Sequence, residues 1–235
     1  MLAKKIIIAA ILIITVIGSM IIGASCLNQL ACEGQPINNN VDPTPAQQIL
    51  GDRIIAQSFI APRNGLNRID IFFHTYGRKN THDVTLRLLE LSPEIQNPVE
   101  GKEVFSTIFN AATISDQVWQ TFNLPPIENS AGNTYVIALH SPESEDGNAI
   151  TVGGIEQNVY VPGSAFLGPT PVRADITFRS CYQMTTFEKL QIFSEQITRH
   201  RPGPWGNITI YGLSLLTYVL LLVGFFWQLA KLALD

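Results

Sequence analysis

The side chains best equipped for chemistry are few in this 235-residue chain. His74 and His82 bracket a predicted turn, with Asp83 beside the second, and could supply half of a metal site or an acid–base pair. No Cys or Glu stands near them at a diagnostic ligand spacing, so a polar turn is the simpler reading. His140, followed by Ser141 and Pro142, reads as a strand-end residue. The run Glu143-Ser144-Glu145-Asp146-Gly147-Asn148 offers oxygens to a hard cation but lacks the spacing of a known calcium loop. Asp70, Glu90, Glu103, Asp116 and Asp175 cannot be sorted into an acid and a base from sequence. There is no nucleophile elbow, P-loop or His-Glu-x-x-His motif. The expectation is a protein that is not an enzyme and carries no metal or cofactor.

Aromatic residues offer a different chemistry. An exposed ring stacks on the face of a pyranose while polar neighbours fix its orientation. Tyr76, at a turn with Arg78 and Asn80, is the first candidate for ligand binding, and Tyr160, taken with Phe166, is the second. A ring that merely caps one end of a sandwich is the competing reading for Tyr76. Trp119 lies in an alternating stretch and reads as core.

The elements that position these residues are strands. Segments 54–60, 66–76, 83–91, 103–109, 118–124, 133–140, 149–153, 157–161 and 174–180 are short, β-rich and separated by turn residues such as Arg63-Asn64-Gly65 and Pro162-Gly163. Val84, Leu86 and Leu88 alternate against Thr85, Arg87 and Leu89, as do Ile69, Ile71 and Phe73 against Asp70, Phe72 and His74. That pattern predicts a mainly β fold, an antiparallel β-sandwich of jelly-roll type, flanked by two transmembrane helices. Residues 185–200 break the rhythm: Thr185 and Glu188 form a capping-box pair, and Phe187, Leu190, Phe193 and Ile197 recur at helical spacing.

Composition points to a membrane. Charged residues make up only 14% of the chain, against roughly 25% in soluble domains, and residues 6–24 and 208–230 carry no charge. Each run is long enough to cross a bilayer core of ~30 Å. Lys4 and Lys5 precede the first; Trp205 and Tyr211 open the second and Trp227 closes it, as interface residues do. Ser19 and Gly23 give a small-xxx-small spacing suited to helix packing. An uncleaved anchor is favoured over a signal cut at Cys26, and the residues before Cys26 make a poor lipobox. The expected organisation is a cytoplasmic head at 1–5, a transmembrane helix at 6–25 and a linker at 26–50. The β-sandwich follows at 51–182, an amphipathic juxtamembrane helix at 185–200, a transmembrane helix at 207–230 and a cytoplasmic tail at 231–235. The bulk of the chain then lies on the extracytoplasmic side of the cell membrane. Disulfides persist there, and Cys32 and Cys181 could pair, leaving Cys26 free. A net charge of −4 supplies no basic footprint for nucleic acid.

The stretch from Gln57 to Glu90, with its Thr-x-Arg-Leu strand, and that from Val118 to Val152, with Trp119, a Phe-x-x-Pro-Pro-Ile edge and Tyr135, carry a resemblance. They resemble jelly-roll accessory modules attached to bacterial membrane and cell-surface proteins, which are similar to carbohydrate-binding modules. The resemblance implies a non-catalytic, membrane-anchored accessory subunit whose sandwich binds or scaffolds a larger membrane protein complex. The alternative it implies is a carbohydrate-binding module, with a glycan as partner, serving cell-envelope glycan synthesis or recognition. The shared residues are framework ones, so no ligand residue carries over.

Overall fold

A computed structural model describes residues 18, 31–34, 48–95, 97–155, 157–198, 203 and 207–234. Apart from residue 18, the first apolar run, Ser19 and Gly23 included, lies outside the described residues, as does Trp205 before the second. The chain divides into two compact units, one of residues 32–183 and one of residues 1–31 with 184–235.

The larger unit is built from thirteen strands. In chain order they are β1 (Cys32–Gly34), β2 (Gly51–Ile60), β3 (Leu66–His74), β4 (Asp83–Leu91), β5 (Lys102–Asn110), β6 (Val118–Ile127) and β7 (Thr134–Ser141). Short strands follow: β8 (Thr151–Val152), β9 (Gly154–Ile155), β10 (Ala165–Leu167), β11 (Thr170–Val172), β12 (Asp175–Ile176) and β13 (Phe178–Tyr182). One sheet has the order β1-β13-β3-β6, with β8 also on β3; a second runs β11-β10-β2-β7-β4-β5; β12 and β9 pair separately. The pairings are antiparallel, and the arrangement fits a β-sandwich.

The two sheets meet through their inner faces. Phe59 of the second sheet packs on Phe178 of the first, at 5.4 Å between ring centroids, and Phe73 meets Phe109 at 5.8 Å. The alternation in β3 and β4 holds on this side: Ile69, Ile71, Phe73, Val84, Leu86 and Leu88 are buried, as is Tyr135. Each such side chain contributes about 1.5–3 kcal/mol by leaving water. Leu89 breaks the expected pattern, being buried on the opposite face of its sheet. There it clusters with Ala56, Val136 and Ala138, against which Ile54, Leu91, Val99 and Phe166 pack. The short helical turn Pro98–Glu100 covers this patch, so one sheet is apolar on both faces.

Residues assigned from composition to a linker enter the sandwich at both ends. Cys32–Gly34 is the edge strand β1, and Ile49 is fully buried with its N–H on the carbonyl of Ile150. Cys32 and Cys181 face each other across β1 and β13 and are joined in a disulfide 149 residues apart. Closing a loop of that length removes about 5 kcal/mol of chain entropy from the unfolded state.

The smaller unit contains α1 (Thr186–Thr198) and α2 (Ile208–Leu234). At the start of α1, Thr185 donates its N–H to Glu188 Oε2 at 2.7 Å, and Glu188 returns an N–H to Thr185 Oγ1 at 3.3 Å, the expected capping box. Among the described residues α2 is the one helix long and apolar enough to cross a membrane, through Gly212–Leu229. None of the side chains along that span is buried and nearly all are exposed, Trp227 among them, while Tyr211 lies in the helix at its first turn.

Candidate ligand-binding surface

One face of the first sheet brings some of the residues singled out in the sequence into a single cluster, and the others lie elsewhere. On β3, side chains at alternate positions share a face, so Arg68, Asp70, Phe72 and His74 oppose the buried Ile69, Ile71 and Phe73. Strand β6 places Trp119 opposite Phe72, Thr121 opposite Asp70 and Asn123 opposite Arg68; β13 places Arg179 opposite Asp70.

These positions produce a run of rings. Trp119 meets Phe72 edge-on at 5.4 Å, Phe72 meets His74 at 5.1 Å, and His74 stacks on Tyr76 at 5.3 Å with 15° between planes. An arginine caps each end: the Arg179 guanidinium lies 4.0 Å above Trp119 and that of Arg78 lies 5.3 Å above Tyr76. Tyr76 is 48% exposed, and Trp119 is half-buried. Trp119 therefore shares the face of its register partner Phe72, opposite Ile69, Ile71 and Phe73; Phe72 is buried there, whereas Trp119 is half-buried in place of the core position expected for it.

The turn after β3 holds Tyr76 in place. Its backbone takes a φ of 53°, the left-handed region that few non-glycine residues adopt. The Asp116 carboxylate fixes that conformation by accepting the N–H of Thr75 at 2.6 Å and of Tyr76 at 3.1 Å. The Thr75 N–H above all keeps Asp116 below the usual carboxylate range, against the opposing effect of burial and with help from the Tyr76 N–H. His74, behind Tyr76, is buried with no hydrogen-bond partner on either ring nitrogen. Burial pushes its pKa down from 6.5, and the Asp116 charge partly offsets that. Arg78 reaches back with Nε to the Thr75 carbonyl at 3.1 Å and with Nη2 to Thr151 Oγ1 at 2.8 Å.

Asn80, expected as a polar neighbour to the ring, is only 3% exposed. Its amide presents nothing to solvent, because the turn folds inward after Lys79. His82 lies apart from His74, facing Glu143 at 3.8 Å, and Asp83 instead accepts from Asn110 at 2.7 Å. Among the described residues the one grouping of potential metal ligands is Cys32, Asp70 and Cys181, and its two cysteines are joined to each other. Asp70 is held by Arg68, at 3.1 Å from Nε, and by Thr121 Oγ1 at 2.8 Å.

Tyr160 belongs to a separate place. It lines a cavity of about 430 Å³ with Cys32, Glu33, Ile60, Pro62, Pro162 and Ser180. The segment around it was expected as a strand but is a loop, because a carboxylate takes the N–H groups a ladder would use. Asp175, fully buried, accepts from Val159 N at 2.7 Å and Tyr160 N at 2.8 Å, while Gln57 Nε2 donates to its other oxygen at 3.2 Å. Burial raises the pKa of Asp175 despite those bonds and pushes the Tyr160 phenol up to about 12, with the Glu33 and Asp175 charges adding. Phe166, taken with Tyr160 in sequence, packs instead against the Leu89 patch.

Arg179 and the contributions of Phe72 and His74 escaped the sequence reading. The signal available was two ring-bearing residues at two-residue spacing, Phe72 and His74, which a strand must place on one face, with Tyr76 two residues further on in the turn.

No protein-family model matches the chain, and no curated protein matches it. Among solved structures it is similar to the carbohydrate-binding module of the complex "TmCBM61 in complex with beta-1,4-galactotriose". That likeness has a TM-score of 0.29 and 13% identity, covering 58% of this chain and 82% of that one, and assigns no ligand here.

Proposed function

We propose that this chain is a non-catalytic binding module, held at a membrane by α2, whose jelly-roll-like β-sandwich recognises a glycan through the outward face of its first sheet. One observation carries the reading: the unbroken run Trp119–Phe72–His74–Tyr76, anchored behind by Asp116 and Arg78 and open at Tyr76. Phe72 and His74 are buried and back the two rings that reach solvent, so the exposed parts of Trp119 and Tyr76 lose little freedom when a sugar arrives. In this reading the sandwich lies on the extracytoplasmic side, where its disulfide persists and glycans are presented. The test is binding of the full-length chain, reconstituted in lipid nanodiscs, to an oligosaccharide array. Tyr76→Ala and Trp119→Ala each lower affinity about tenfold, the scale of one lost aromatic contact, while the far-ultraviolet circular dichroism stays that of the folded wild type. Absence of binding to any glycan, or binding indifferent to both substitutions, would overturn the proposal.

A second reading, an accessory subunit that holds the module against partner membrane proteins, draws on α1. Its Phe187, Leu190 and Phe193 are exposed at helical spacing. Purification in mild detergent at fixed stoichiometry with another membrane protein supports it, and a chain that purifies alone counts against it.

A further inference from the structure

The geometry points to an acidic glycan, with Arg179 as the residue that takes its carboxylate; this rests on the proposed binding face. Arg179 extends from β13 and is half-buried, its guanidinium laid over the Trp119 indole at 4.0 Å. A guanidinium in that position is orientationally fixed by the ring, and its planar fork of N–H donors matches a carboxylate bidentately. The carboxylate nearest in register, Asp70, is committed elsewhere: Arg68 holds it through Nε at 3.1 Å and Nη2 at 3.2 Å, and Thr121 Oγ1 donates at 2.8 Å. Among the described residues no ion pair or hydrogen bond occupies the Arg179 fork.

The other end of the ring run differs. Arg78 spends Nε on Thr75 and Nη2 on Thr151, and Asp116 stands beside Tyr76. That end holds a bound negative charge and a structural arginine, so an anion is received at the Arg179 end and the uncharged part of the sugar chain runs toward Tyr76. The face thus has a direction. A uronic acid residue at one end of an oligosaccharide, continuing into neutral pyranoses, is the ligand whose chemistry fits both ends.

The test compares two probes on the full-length chain in nanodiscs: a neutral gluco-oligosaccharide and the same oligosaccharide ending in glucuronic acid. Inorganic phosphate is added as a competitor. The acidic probe binds at least tenfold more tightly at low salt, and the advantage shrinks as ionic strength rises. Arg179→Gln removes that advantage and leaves the neutral probe within about threefold; Arg179→Lys, which keeps charge but loses the fork, restores part of it. Equal affinity for the two probes, or an Arg179→Gln loss that is the same for both, would overturn the assignment while leaving glycan binding standing. Displacement of the acidic probe by phosphate alone at matched ionic strength would also overturn it, since the site would then read only charge. If neither probe nor any other glycan binds, the proposed function fails and the assignment with it.

Discussion

His74 makes the clearest residue-scale claim about pH. Its imidazole is buried among Phe72, Tyr76 and Asp116 without a hydrogen bond, and its folded pKa lies below the 6.5 of the exposed side chain. On acidification through 6.5, the unfolded chain takes up a proton before the folded one does. Stability therefore falls as pH drops from above 6.5 toward the lower folded value, and levels off once folded His74 protonates. Denaturant titrations between pH 8 and 5 show this drop in the wild type, and His74→Phe flattens it; an unchanged slope in that variant contradicts the burial argument. At this scale the sequence was partly legible. Tyr76 and Arg78 were visible as a ring and a cation at a turn, whereas Asn80 was misplaced because a turn residue's polarity does not reveal which way the chain folds. Trp119 was misplaced for the opposite reason: a large apolar ring at an alternating position looks like core whichever face it takes.

Strand segments were the easiest elements to read, since period-two alternation and turn chemistry agree across β3 to β7. The exceptions share a cause, a side chain that substitutes for backbone pairing or a loop that covers a sheet face. Asp175 replaces a ladder around Tyr160, and the Pro98–Glu100 turn buries Leu89 from outside; neither leaves a local periodic signal. The Tyr160 loop also depends on Gly163, because a Cβ there would collide with the Ser58 carbonyl, and Ser164 exchanges hydrogen bonds with Ser58 beside it. Gly163→Ala accordingly destabilises the fold by about 1–3 kcal/mol, the range for forced overpacking, as read by urea unfolding. The same substitution should alter hydrogen exchange at Val159 and Tyr160 while leaving Thr75 and Tyr76 protected. An Ala variant as stable as wild type would show that the loop has room the close approach denies.

The molecule as a whole combines a cross-linked sandwich with a helix that has no buried side chain along the spanning stretch. An apolar helix of that length in water would aggregate; in a bilayer the exposure is the favourable state. Composition made the second apolar run legible as a helix, whereas the sequence offered Cys32–Cys181 only as a pair that could form. The ring run itself was not legible, because it depends on the pairing of β3, β6 and β13, whose paired residues lie up to 116 positions apart. Hydroxyl-radical footprinting of the full-length chain in nanodiscs, with and without saturating acidic oligosaccharide, decides directly between that run and the Tyr160 cavity. The account predicts slowed oxidation of Trp119 and Tyr76 with Tyr160 unchanged; protection of Tyr160 alone, or of none of the three, would contradict it.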